Sequence, residues 1–125
     1  MSIVEKSALL KESFNVALES INVYKYLSAK NEYVLSKQFF RAATSIEANI
    51  REAKYAESKN DFIHKFRIAL KECNETLYWL ELIEVSEGQK IKEVDYIRKK
   101  CNSILRMIVS SIQTCEKNLE NANRT

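Results

Sequence analysis

Few side chains in this chain are of a type and spacing that could do chemistry. The one histidine, His64, stands in a solitary Asp61-x-x-His64 pair on a segment with helical periodicity. A dinuclear metal bundle draws inward carboxylates from all four helices together with two Glu-x-x-His pairs, so one such pair supplies no ligand set. A cysteine nucleophile needs an imidazole within hydrogen-bond reach. Cys73 lies about two and a half turns from His64 along the same helix, too far to touch it. Glu72 and Glu75 are near neighbours, the arrangement of a carboxyl acid/base pair, but on so charged a helix adjacent carboxylates read as a solvated face. No GxxxxGK[ST], GxGxxG or HExxH occurs, and a single glycine leaves no phosphate-cradling loop. The expectation is a non-enzymatic protein with no catalytic residue, cofactor, metal or small-molecule substrate.

The cysteines agree. Cys73, Cys101 and Cys115 are odd in number, show no CxxC spacing and fall on apolar helical stripes, which predicts buried free thiols in a reducing compartment. The opening MSIVEKSALLKESF lacks a basic region followed by an apolar one, and no stretch approaches the ~18 apolar residues that span a bilayer. A cytoplasmic protein without export or membrane anchoring is expected.

The elements that must position these groups are helices. Zero prolines and one glycine leave little for a fold that needs many tight turns. With 125 residues, 46% hydrophobic and 30% charged, the chain is expected to bury one core as one domain spanning residues 1–125. Leu10, Phe14, Ala17, Ile21 and Tyr24 alternate at spacings of four and three, predicting a first helix over about 3–29. Leu35, Phe39, Ala42, Ile46, Asn49, Ala53 and Ala56 predict a second over about 32–57, with Asn31 as its N-cap. Ser58 and Asp61 form an S-x-x-D start for a third helix over about 59–87. Its stripe is Phe62, Phe66, Ala69, Cys73, Thr76, Leu80 and Ile83, and Gly88 is its left-handed stop. Val94, Ile97, Cys101, Ile104, Ile108, Ser111 and Cys115 predict a fourth over about 92–119, with a frayed tail at 120–125. Segments of roughly 25 residues, about 38 Å long, joined by short links give an all-α antiparallel up-down-up-down four-helix bundle.

The second segment is unusual in its small residues, Ala42, Ala43, Ser45, Ala48, Ala53 and Ala56, with Gln38 and Asn49 on or beside its stripe. Small residues allow close helix approach, and a polar group in a seam fixes register when its partners are present. If the second and third helices run antiparallel about Ser58, residues whose numbers sum to about 117 face each other, which pairs Arg41 with Glu75 and Glu52 with Lys65. Val16, Val23, Phe40, Tyr55, Tyr78 and Trp79 fall outside the seams and are candidates for a second apolar face, of the kind that mediates association.

These segments also carry a resemblance. Leu35-x-x-Gln38-x-x-Arg41-x-x-Thr44-Ser45-Ile46-x-Ala48-Asn49-Ile50-x-Glu52-Ala53 resembles the signature of a bacterial four-helix-bundle family encoded in 23S rRNA intervening sequences, also called S23 ribosomal protein-like. The similarity continues through Ser58, Asp61-Phe62-Ile63, Ile68-Ala69-Leu70-Lys71-Glu72 and Glu75-Thr76-x-Tyr78-Trp79-Leu80. The motif residues are thus Gln38, Arg41, Ser45, Asn49, Glu52, Asp61, Lys71, Glu75, Tyr78 and Trp79. The chain departs from the pattern at Glu47, where glycine is usual, and at Ala42, where serine is common. The resemblance implies a ring-like homopentamer without enzymatic activity. It also implies kinship with the accessory variability determinants of diversity-generating retroelements, which bind reverse transcriptase and nucleic acid.

Net charge is +3, a mild excess. Candidate contacts to RNA or DNA are Arg51, Lys54, Lys59, Lys65 and Arg67 around the second turn, and Arg98, Lys99 and Lys100 on the fourth helix. The leading expectation is an oligomeric scaffold accessory to nucleic acid or ribonucleoprotein. The alternative is a protein-interaction scaffold with no nucleic-acid role.

Overall fold

The computed structural model describes residues 3–124, with side chains from Ala8 onward. It consists of α1 (Ile3–Ala29), α2 (Tyr33–Ala53), α3 (Lys59–Glu87) and α4 (Lys92–Asn123). Each helix packs on its neighbours in sequence and α1 closes against α4, while the backbones of the diagonal pairs α1/α3 and α2/α4 stay farther apart among the described residues. This is the all-α four-helix bundle that the periodicity predicts. Its core includes Leu27, Phe39, Ile46, Phe66, Leu80, Ile97 and Ile104, all shielded from solvent. Burying side chains of this size stabilises the fold by ~1.5–3 kcal/mol each, before the entropy of ordering the chain is counted.

The helix ends follow local chemistry. Ser58 caps α3, its hydroxyl accepting from the Asp61 amide at 3.0 Å, and the Asp61 carboxylate reaches back to the Glu57 amide at 3.1 Å. Gly88 ends α3 at φ 68°, where a left-handed residue lets its amide bond the Glu84 carbonyl. Asn31 does not cap α2. It sits at φ 64° as the left-handed residue that closes α1, with its own amide on the Ser28 carbonyl and the Glu32 amide on the Leu27 carbonyl. Those paired bonds are a Schellman closure, for which asparagine is the usual substitute for glycine. The residue before α2 is Glu32, which makes no side-chain cap.

Two boundaries differ from expectation. α2 stops at Ala53 rather than near residue 57, because the amides of Lys54, Tyr55 and Ala56 bond carbonyls three residues back and tighten the chain out of the α-helix. At the other end of the chain α4 continues through Asn123, so the segment 120–123 is helical rather than frayed.

The seam of α1 is also one residue away from the predicted stripe. Its buried positions among the described side chains are Leu9, Ser13, Val16, Ser20, Val23 and Leu27. Phe14 and Ile21, expected inside, are 45% and 38% exposed. Two serines tolerate burial there because each hydroxyl bonds its own helix, Ser13 to the Leu9 carbonyl at 2.7 Å and Ser20 to the Ala17 carbonyl at 2.6 Å. Val16 and Val23, expected on a second face, are therefore core. Of the thiols, Cys73 and Cys101 are buried as predicted and Cys115 is only half-buried.

Candidate functional site

Two buried carboxyl groups stand out, Glu47 on α2 and Glu72 on α3. Glu47 is held by Arg51 one turn on, at 2.6 Å. The same guanidinium lies 5.9 Å from the Phe14 ring centre, so it stands beside an aromatic of α1 while it neutralises a buried carboxylate of α2. Of the two predicted cross-helix ion pairs, Glu52 to Lys65 forms at 3.1 Å. Arg41 does not pair with Glu75. Its guanidinium donates to the Gln38 side chain at 3.4 Å, and its charge acts instead on Glu72.

Glu72 is not on a solvated face. It is 7% exposed, and its Oε2 is buried without a hydrogen-bond partner. Burial pushes its carboxyl above the usual range, and the charge of Glu75 and a hydrogen bond with it add to the rise; Arg41 and Lys71 oppose it. Sequence reading missed this because the residue types alone mark a charged helix. The position of Glu72 directly before the apolar-stripe residue Cys73 was the available signal.

Gln38 and Asn49, the polar residues expected to pin the seam, both bond within their own helix, Gln38 by accepting from Arg41. Asn49 Nδ2 donates to the Ser45 carbonyl at 2.8 Å, and the Ser45 hydroxyl to the Arg41 carbonyl at 2.6 Å. They satisfy themselves within α2. Asp61 serves as the α3 cap described above, and Lys71 is exposed. Tyr78 and Trp79 meet edge to face at 4.9 Å, with Tyr78 54% exposed and Trp79 half-buried. No group of three or more metal-ligating side chains occurs among the described residues, and exposed His64 has no such company.

The basic candidates are largely engaged. Besides Arg51 and Lys65, Arg67 binds Glu116 at 2.9 Å, and Lys100 binds Glu12 at 2.6 Å. Arg98 binds Glu84 and also approaches Asp95 at 3.6 Å, while Lys99 holds Asp95 at 3.1 Å. The Lys99 hydrogen bond keeps the Asp95 carboxyl below its ordinary range, and the Glu12 hydrogen bond raises the Lys100 ammonium above its own. Lys54 and Lys59 have no ion pair among the described residues; Lys54 lies 6.0 Å from the Tyr55 ring centre. Both line a hollow of about 310 Å³ with Phe62, Cys115 and Asn118.

Outside the seams two exposed apolar stripes stand out. On α1 these are Phe14, Leu18 and Ile21, with Leu18 49% exposed; on α3 they are Tyr78, Leu82 and Val85, with Val85 77% exposed. Both sets are spaced four then three, so each forms one face of its helix. The helices that carry them are a diagonal pair, which puts the stripes on opposite sides of the bundle. Phe40 leans 5.0 Å from the Tyr24 ring, half-buried, and Tyr55 is 77% exposed at the end of α2. No helix is long and apolar enough to cross a membrane among the described residues.

Comparison with known proteins agrees with the bundle and its motifs. No curated protein matches the chain. A crystal structure from Bacteroides thetaiotaomicron VPI-5482, a protein with unknown function from the S23 ribosomal protein family, superposes with a TM-score of 0.81 at 40% identity. The match covers 87% of this chain and 98% of that one. The model of the 23S rRNA-intervening sequence protein family matches residues 5–110, which takes in α2, α3 and most of α1 and α4. The chain therefore belongs to the 23S rRNA-intervening sequence protein family.

Proposed function

We propose that this protein is a non-enzymatic, cytoplasmic scaffold that works as a self-assembled ring. The observation that carries the reading is the pair of apolar stripes, Phe14/Leu18/Ile21 and Tyr78/Leu82/Val85, left uncovered on opposite helices. A face on α1 that meets a different face on α3 of the next copy is a heterologous contact, which closes into a ring when the rotation allows. Charge supports the pairing. Lys11 and Lys25 extend the α1 stripe at the same helical spacing and are exposed without ion pairs among the described residues, while exposed Glu81 flanks the α3 stripe. Five copies is the stoichiometry that the sequence resemblance implies.

An accessory role toward nucleic acid or a ribonucleoprotein, with a reverse transcriptase among the candidate partners, is the finer reading. Ion pairing of Arg51, Lys65, Arg67, Arg98, Lys99 and Lys100 weighs against a basic patch on one copy. The unpaired Lys54 and Lys59 at the α2/α3 turn favour it, since ring symmetry would repeat that pair around one end. The test is light scattering on the chain, followed by RNA and DNA titration of the same sample at rising salt. A multimer whose affinity falls steeply with salt supports the full reading. A multimer that binds neither leaves a protein-interaction scaffold, and a monomer overturns the ring.

A further inference from the structure

α3 carries two carboxyl groups one turn apart that the scaffold role leaves unused. Glu72 is more than nine-tenths buried, with Oε2 unpartnered. Half-buried Glu75 stands one turn on along the same helix. A buried carboxyl oxygen with no donor to meet it disfavours the ionised form. We propose that Glu72 holds a proton in the folded chain, and that its loss is a built-in switch that loosens α3 against α2.

The surroundings decide what happens when the proton leaves. From α2 the charged group that acts on Glu72 is Arg41, already bonded to Gln38; on α3 itself they are Glu75 and Lys71. α4 meets this part of α3 at two cysteines, Cys73 Sγ lying 3.3 Å from the Cys101 carbonyl oxygen. The charges that α4 exchanges with α3 are already spent, Arg98 on Glu84 and Glu116 on Arg67. An ionised pair is thus two like charges with one buried, and it is relieved by Glu72 turning outward from its place beside buried Cys73 and Thr76. The device lies within one copy and does not depend on ring assembly.

The sign follows from burial and from Glu75, which both raise the Glu72 carboxyl in the folded chain. Its contribution to stability is complete below the ordinary carboxylate range and is lost as pH rises through the raised value. Asp95, held low by Lys99, acts in the opposite sense and only at lower pH. The lone tryptophan, Trp79, sits one turn beyond Glu75, half-buried, and reports on this part of α3.

The experiment is denaturant unfolding of the full chain, with Trp79 emission as readout, from about pH 5 to about pH 8.5. The expected result is a folding equilibrium constant that falls with rising pH, with a limiting slope of about tenfold per unit for one proton. Glu72→Gln flattens the profile and keeps its upper end stable. His64→Gln, which removes the one imidazole, leaves the slope in place. Glu75→Gln moves the fall to lower pH, so the switch is testable even where Glu72→Gln folds poorly. A flat wild-type profile, a slope that survives Glu72→Gln, or one that vanishes in His64→Gln overturns the proposal.

Discussion

α1 and α4 lie side by side and each buries one stripe in the core, yet their outer faces differ. α4 turns Lys99, Arg106, Gln113, Glu116 and Lys117 to solvent. The outer face of α1 is Phe14, Leu18 and Ile21, and its inner face includes Ser13 and Ser20. A helix with one apolar face is explained by its own core. One with apolar residues outside and serines inside has spent its hydrophobic surface on a second contact, which the isolated bundle does not contain.

The largest effect that sharpens this contrast is in the core. Ile104→Ala on α4 removes a fully buried side chain and is expected to cost ~2–5 kcal/mol in denaturant unfolding. Leu18→Asp on α1 is expected to cost under about 0.5 kcal/mol of fold stability, since the site is exposed, while abolishing assembly in light scattering. A core-sized loss of stability there would break the comparison by putting Leu18 inside.

Smaller effects test the helix ends. Ser58→Ala leaves the α3 start without its hydroxyl and is expected to lower stability by ~1 kcal/mol. Gly88→Ala meets no atom within 4 Å, so its cost comes from the backbone alone, ~1–2 kcal/mol for a left-handed residue with a Cβ. Smallest is Lys65→Ala, which breaks the pair with Glu52, 60% exposed, and costs ~0.2–1 kcal/mol. Each is read from chemical unfolding of the purified chain.

Much of the fold is legible in the residues. The stripe of α4 and the punctuation at Ser58, Asp61 and Gly88 are unambiguous, because each combines a periodic signal with a residue whose backbone preference has one use there. The register of α1 is not legible in the same way. Its apolar residues satisfy two adjacent stripes, and the choice falls to which stripe finds partners across the bundle; serines that bond their own helix carry no penalty in the inner one. Glu72 is hidden for a related reason. Whether a carboxyl on a charged helix is solvated depends on how closely the neighbouring helix approaches, which residue types alone do not state. The paired state of the basic residues is likewise a property of packing, since Glu12, Glu84 and Glu116 come from other helices or distant turns.

The central claim is that α1 of one copy meets α3 of the next. It is tested most directly by mixing two variants, Leu18→Asp with α1 blocked and Leu82→Asp with α3 blocked, and measuring mass by light scattering. Each alone is expected to be monomeric, and the mixture is expected to form one-to-one dimers through the single intact α1/α3 contact. A mixture that remains monomeric while the wild-type chain assembles, or variants that assemble as the wild type does, would contradict it.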